Sequence, residues 1–168
     1  MQNNTDRKFV NSQLMAEQPW QVIERDFSGS LSELPENQLL LPLAFWQANR
    51  DELAALNSRF GIWVDSDEEI EAVANDINQF AAIGVNFPVF TDGRGFSTGR
   101  LLRERYQFNG QLLALGNTIQ DQWFYLRRCG FDAYEVTANA NQPSKPLNGF
   151  SITYQCAVDQ PEPLFRRR

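Results

Sequence analysis

A chain of 168 residues and 19.3 kDa, with 42% apolar residues and 21% charged ones, belongs with single-domain globular proteins and not with the disordered class. Its net charge of -6 excludes a general nucleic-acid binder, which needs a basic face to neutralise phosphates. It contains no histidine, which excludes Ser-His-Asp and Cys-His catalysis and the common zinc sites; no metal site is expected, and acid-base work falls to Asp, Glu, Tyr, Cys or a bound cofactor.

The two cysteines, Cys129 and Cys156, have neither CxxC nor iron-sulfur spacing. The start, MQNNTDRKFV, is polar and carries no apolar core of signal-peptide length, and no run is long enough to span a membrane. A cytoplasmic protein with reduced thiols is the expectation.

Three regions are expected within one domain: a lead-in over residues 1–38, a βα-repeat core over 39–137, and a loop, strand and tail over 138–168. Residues 9–26, interrupted by Pro19, suit one or two short strands or a loop. Residues 27–38 are rich in Ser, Gly and Pro and read as a loop. The run 39–45 (LLLPLAF) reads as a strand covered on both faces. A capped helix follows over 49–57, then a strand over 61–65. Ser66 to Glu69 forms a capping box, and Ile70, Val73, Ile77 and Phe80 keep the 3.6-residue period of a helix that Gly84 ends. A strand is expected at 87–91, a helix from Ser97 to about Tyr106, a strand at 111–115, a helix from Thr118 to about Cys129, and a strand at 132–136. Residues 139–148 read as a loop and 150–157 as a last strand. Repeating βα units of this kind form a parallel sheet of about five core strands, open or half-barrel-like, and a second subunit of a homo-oligomer could complete the latter.

A parallel sheet gathers the carboxyl ends of its strands at one edge, where such folds bind ligands. That edge receives Asp65, Ser66, the turn Asp92-Gly93-Arg94-Gly95-Phe96-Ser97, Gly116, Asn117, Glu135 and Thr137. Six of the thirteen arginines lie between Asn86 and Val136. Gly93 and Gly95 allow a tight turn, free N–H groups at the helix start attract an anion, and Arg94 and Arg100 could clamp it, with Asn117 nearby. The turn chemistry alone would also produce this pattern. Asp92 and Glu135 are the candidate acid-base pair. On the third helix Arg105 falls between Leu101 and Leu102 and must snorkel or pair with an acid, whereas Arg103 is placed on the other side. Asp121 suits a capping box, Arg127 and Arg128 complement a helix end, and Cys129 is a small buried hydrophobe. Arg103, Asp121, Arg128 and Asp132 are therefore supporting residues.

The segment FPVFTDGRGFSTGRLLRERYQFNGQLLALGNTIQDQWFYLRRCGFDAYEV resembles the signature of a bacterial family of uncharacterised proteins, whose pattern reads FxxFtDGRGfSxArlLRer, then GelRAxG, then DQxxxlxRCGFDaFe. The match is close over residues 87–135 and looser over 39–86. It includes Asp92, Gly93, Arg94, Gly95, Ser97, Arg100, Arg103, Gly116, Asp121, Gln122, Arg128, Cys129, Gly130, Asp132 and Glu135. Gly99 replaces the family's Ala, and Leu113 to Leu115 replaces a strand that carries Arg. Members are described as oxidoreductases of sulfite reduction, because their genes stand beside those for assimilatory sulfite reductase.

The resemblance implies an accessory or electron-delivery protein with sulfite reductase as its partner. A small-molecule enzyme for a phosphorylated or oxyanionic ligand and a non-catalytic scaffold are the alternatives, and no cofactor is specified by the sequence.

Overall fold

Side chains alternate strictly along the central strands, so each strand serves two apolar layers. The structure, a computed structural model, describes residues 7–11, 17–18, 20–55, 60–136 and 152–167. Strands β1 (Lys8–Asn11), β2 (Glu17–Gln18), β3 (Trp20–Val22), β4 (Gln38–Pro42), β5 (Phe60–Val64), β6 (Ala82–Phe87), β7 (Gln111–Gly116) and β8 (Ala133–Val136) form one sheet in the order β2-β1-β8-β7-β6-β5-β4-β3. From β3 to β8 all neighbours are parallel and follow chain order, whereas β1 pairs antiparallel with both β8 and β2. The helices are α1 (Leu43–Ala48), α2 (Arg50–Ala55), α3 (Arg94–Glu104) and α4 (Gln120–Arg128).

The α/β class and the parallel ladder match the sequence reading, but the described residues place eight strands in the sheet and not about five. The difference lies in the expected lead-in, which supplies three short strands. β2 and β3 hold opposite edges of the sheet although a single residue, Pro19, separates them in the chain. Two backbone steps span at most about 7 Å. The two edges therefore come close together, and the sheet is a nearly closed barrel rather than an open sheet or a half-barrel.

Inside it pack Phe9, Trp20, Val22, Leu40, Trp63, Ala82, Leu113, Leu115 and Ala133. The two indoles are satisfied there: Trp63 Nε1 donates to the Ile23 carbonyl at 2.9 Å and Trp20 Nε1 to Gln111 Oε1 at 2.5 Å. Gly84 makes room for Leu115 and Trp63, since a Cβ there would stand 2.7 Å from the first and 3.0 Å from the second. The alternate residues Leu39, Leu41, Ile62, Val64, Ile83, Val85, Phe87, Leu112, Ala114 and Tyr134 face outward into the larger core beneath the helices. No helix of the described residues is long and apolar enough to cross a membrane.

Several expected elements shift. The run at 39–45 divides at Pro42 into β4 and α1. The helix expected from Ser66 is two 3-10 turns, Ile70–Val73 and Ile77–Gln79, although Ile70, Val73, Ile77 and Phe80 are buried as its period implies. Here side chains take the backbone: Glu68 accepts the Asp65 N–H at 2.7 Å and Asp65 accepts the Ser66 N–H at 2.8 Å. The strand expected at 87–91 lies at Ala82–Phe87 instead. Helix α3 begins at Arg94, three residues before Ser97, which is exposed within the helix. In the last expected strand the described residues 152–157 are irregular apart from an Ala157–Gln160 bridge; Thr137, the loop at 139–148, Phe150 and Ser151 lie outside the described residues.

Candidate functional site

The inner positions of the strands become polar at their carboxyl ends, where the barrel opens. Continuing the inward parity of β5, β6 and β8 leads to Asp65, Asn86 and Glu135. Asn86 Nδ2 donates to Asp65 Oδ1 at 3.0 Å, and Arg25 pairs with the same carboxylate at 2.9 Å and with Glu68 at 3.4 Å. On the other side, Arg7 joins Glu24 at 3.2 Å to Glu135 at 3.5 Å. Glu24 follows β3, Glu135 lies in β8 and Arg7 precedes β1, so this guanidinium ties the carboxyl end of the seam where the barrel closes.

Glu135 is the most enclosed of the four carboxyls in these pairs, its side chain only 16% exposed. Burial raises its pKa, and the Glu24 charge adds to the rise; the Gly116 N–H, 2.6 Å from Oε2, and the Arg7 charge oppose it. Gly116 can turn there because it adopts a φ of +81°, and a Cβ would meet the Phe87 carbonyl at 2.6 Å. Among the described residues of this end, Glu135 is the carboxyl best placed to carry a proton.

Asp92 has the opposite character. Arg94 forks onto it, with Nη2 at 2.7 Å from Oδ2 and Nε at 3.0 Å from Oδ1, and the Arg94 backbone N–H adds a bond of 3.1 Å. These bonds hold the Asp92 carboxyl well below the usual carboxylate range and raise Arg94 in turn. The same geometry explains the early start of α3: the Asp92 carboxylate accepts the Arg94 N–H at the helix's first residue, three positions before Ser97. The Asp92 carboxylate thus fills the place expected for a foreign anion at the turn. Arg94 Nη2 also donates to Ser66 Oγ at 2.9 Å, linking the β6–α3 turn to the β5 turn.

The remaining expected site residues are distributed through the framework. Arg100 lies six residues along α3 from Arg94, a rise of about 9 Å, and pairs with Glu104 at 2.8 Å. The structure does not bring it to the turn. Asn117 Nδ2 donates to the Pro88 carbonyl at 2.7 Å, and its N–H to the Phe87 carbonyl at 2.8 Å. Gly93 caps α3, and Gly95 lies against the Phe87 ring, 2.6 Å from where a Cβ would stand. Asp121 is exposed in the first turn of α4, while Gln122, one residue on, accepts the Ile119 N–H at 3.2 Å.

Arg103 and Asp132 meet at the opposite, amino end of the barrel. Arg103 donates to the carbonyls of Phe108 at 2.5 Å, Gly110 at 2.9 Å and Gly130 at 3.0 Å, and to Asp132 at 2.6 Å. Asp132 also accepts the Leu112 N–H at 2.8 Å. Together they lock the turns before β7 and β8. Arg128 donates to the Gln155 carbonyl at 2.5 Å and holds the C-terminal segment against α4.

Arg7, Glu24, Arg25 and Asn86 were missed in the sequence. A signal was present in the inward parity of Asn86, but Arg7, Glu24 and Arg25 flank strands too short to show a period. No curated protein and no solved structure matches the chain. A family model does match, from β5 onward, leaving out Arg7, Glu24 and Arg25. Since the match runs over residues 61–165, more than half of the chain, the protein belongs to the family described as bacterial protein of unknown function, DUF934.

Proposed function

We propose that the protein is an accessory factor of assimilatory sulfite reduction that presents the carboxyl end of its barrel to sulfite reductase. The single observation that supports this face as a docking surface is its charge. Six carboxylates, Glu24, Asp65, Asp67, Glu68, Asp92 and Glu135, surround three guanidinium groups, Arg7, Arg25 and Arg94, and each of those guanidinium groups is already paired. A net negative face repels a free oxyanion and attracts a basic protein surface. The connection to sulfite reductase comes from the signature resemblance, and electron delivery is the finer form of the same role.

The test is growth of a strain lacking the gene on sulfate, sulfite or sulfide. Growth on sulfide alone is the expected result; growth on all three removes the link to sulfite reduction. Purified protein should also bind sulfite reductase with an affinity that falls steeply with salt, as expected of charge-steered contact.

A small-molecule enzyme is the second reading, and Glu135 favours it: a largely enclosed carboxyl with a raised pKa at the carboxyl end of parallel strands is suited to general acid catalysis. Under this reading Glu135→Gln keeps ligand-induced thermal stabilisation by a phosphorylated or oxyanionic compound but loses turnover. A variant with full turnover would end it.

A further inference from the structure

We infer that the turn over residues 88–91 is a docking tip that seats Val89 and Phe90 in an apolar cleft of a partner protein whose rim is basic. This rests on the proposal that the carboxyl end is a docking face and specifies its contact point. Val89 and Phe90 are 52% and 56% exposed, in a turn between the buried Phe87 and the paired Asp92. A turn needs no aromatic residue for its own chemistry, and contiguous exposed apolar surface marks interaction sites.

The turn is held from behind by its backbone. Asn117 binds the Phe87 carbonyl through its N–H and the Pro88 carbonyl through its side chain, at 2.8 and 2.7 Å. Asp92 N–H binds the Val89 carbonyl at 3.0 Å, and Gln122 Nε2 binds the Phe90 carbonyl at 2.7 Å. Four consecutive carbonyls are fixed while the two apolar side chains remain outside. Such a tip loses little conformational freedom on binding, so its apolar contact is available as affinity.

Gln122 also accepts the Ile119 N–H, so one side-chain amide links the backbones of Phe90 and Ile119, the latter a further exposed apolar residue at 44%. Because β6 lies between β5 and β7, exposed acids border the tip on both sides: Asp67 follows β5, close enough to raise Arg94, and Asp121 follows β7. An acidic rim around an apolar centre fits a basic rim around an apolar cleft. It disfavours a second copy of this chain, since a twofold contact would set the same acids against each other.

The test compares wild type, Val89→Ser/Phe90→Ser and Asp67→Lys/Asp121→Lys for binding to purified sulfite reductase. The change at 89 and 90 removes no buried side chain and should leave the melting temperature unchanged. It should weaken binding about thirtyfold or more, as truncation of an interface hot spot does, and the charge reversal should weaken it most at low salt. Wild-type affinity in the serine variant overturns the docking tip and leaves the proposed partner standing. If wild type does not bind sulfite reductase, the proposed partner fails, and a photocrosslinking residue at position 90 in living cells decides the tip separately. A discrete adduct lost on Asp67→Lys/Asp121→Lys supports it; no adduct, or one indifferent to those charges, overturns it.

Discussion

Arg103 has a 13% exposed side chain and directs its donors at three carbonyls and a carboxylate. Removing it strands the Phe108, Gly110 and Gly130 carbonyls and the Asp132 charge together. Arg103→Ala should therefore cost about 3 kcal/mol of unfolding free energy by urea titration. Arg103→Lys should recover less than half, because a point ammonium cannot reproduce the fork; full recovery would show that charge alone matters. The sequence pattern identified an arginine of α3 that must find a partner but chose Arg105. Arg105 is exposed at the helix end, 5.6 Å from the Tyr106 ring centroid, and the partly buried one with a partner is Arg103. The apolar face was drawn through Leu101, Leu102 and Tyr106, whereas Gly95 and Gly99 mark the face against the sheet; glycine adds nothing to an apolar pattern.

Glu135 gives a second prediction at this scale. Its folded pKa lies above its ordinary value of 4.5 because of burial. Well below 4.5 the folded and unfolded chains both hold the proton, and the contribution of the group is fully present. As pH rises through 4.5 the unfolded chain releases the proton first, so stability falls until the folded pKa is passed. Glu135→Gln does not titrate. Urea unfolding of both proteins should show the stability of wild type relative to Glu135→Gln declining as pH rises above 4.5, and a difference constant with pH would remove the assigned shift.

At the scale of elements, α3 approaches the sheet through glycine. A Cβ at Gly95 would stand 2.6, 2.7 and 3.0 Å from three atoms of the buried Phe87 ring. Alanine raises helix propensity by about 1 kcal/mol, but overpacking against a buried ring costs about 2–3 kcal/mol. Gly95→Ala should thus lower stability by about 1–2 kcal/mol in chemical denaturation; a gain would mean that α3 shifts freely. Gly130, with a φ of +98°, stops α4 where the sequence placed it, and β7 and β8 were legible to within a residue. Two elements were not. The run at 66–81 has helical apolar spacing but contains Asn75, Asp76 and Asn78, weak helix formers. Buried Asp76 pairs with Arg50 at 2.5 Å and accepts Gln79 Nε2 at 3.1 Å, which suits a tight turn. β6 was read too late because Gly84 and Asn86 interrupt its apolar run. The first leaves space for the barrel interior, and the second faces Asp65 at the candidate site. Both depart from ordinary strand composition.

Closure of the barrel governs the whole molecule, and it is the feature least visible in the sequence. The βα spacing announces the parallel strands, but β1, β2 and β3 are four, two and three residues long, too short for periodicity. Their importance is energetic: Phe9, Trp20 and Val22 form a third of the nine-residue interior cluster, to which β4 adds Leu40. The family match begins at Gly61 and so covers β5 to β8 without these four residues. A chain limited to residues 61–165 would leave Trp63, Leu113 and Leu115 facing water and expose two sheet edges able to pair with other chains. We therefore expect that fragment to aggregate or to melt without a cooperative transition, while the full chain unfolds cooperatively. Trp20→Ala in the full chain probes the same closure more gently: it removes a buried indole and its bond to Gln111, and should cost about 3–5 kcal/mol. Sedimentation and calorimetry on both would check this. A monomeric 61–165 fragment with a sharp transition would show that half of the barrel folds alone and that the first four strands serve the site, through Arg7, Glu24 and Arg25, more than they serve the core.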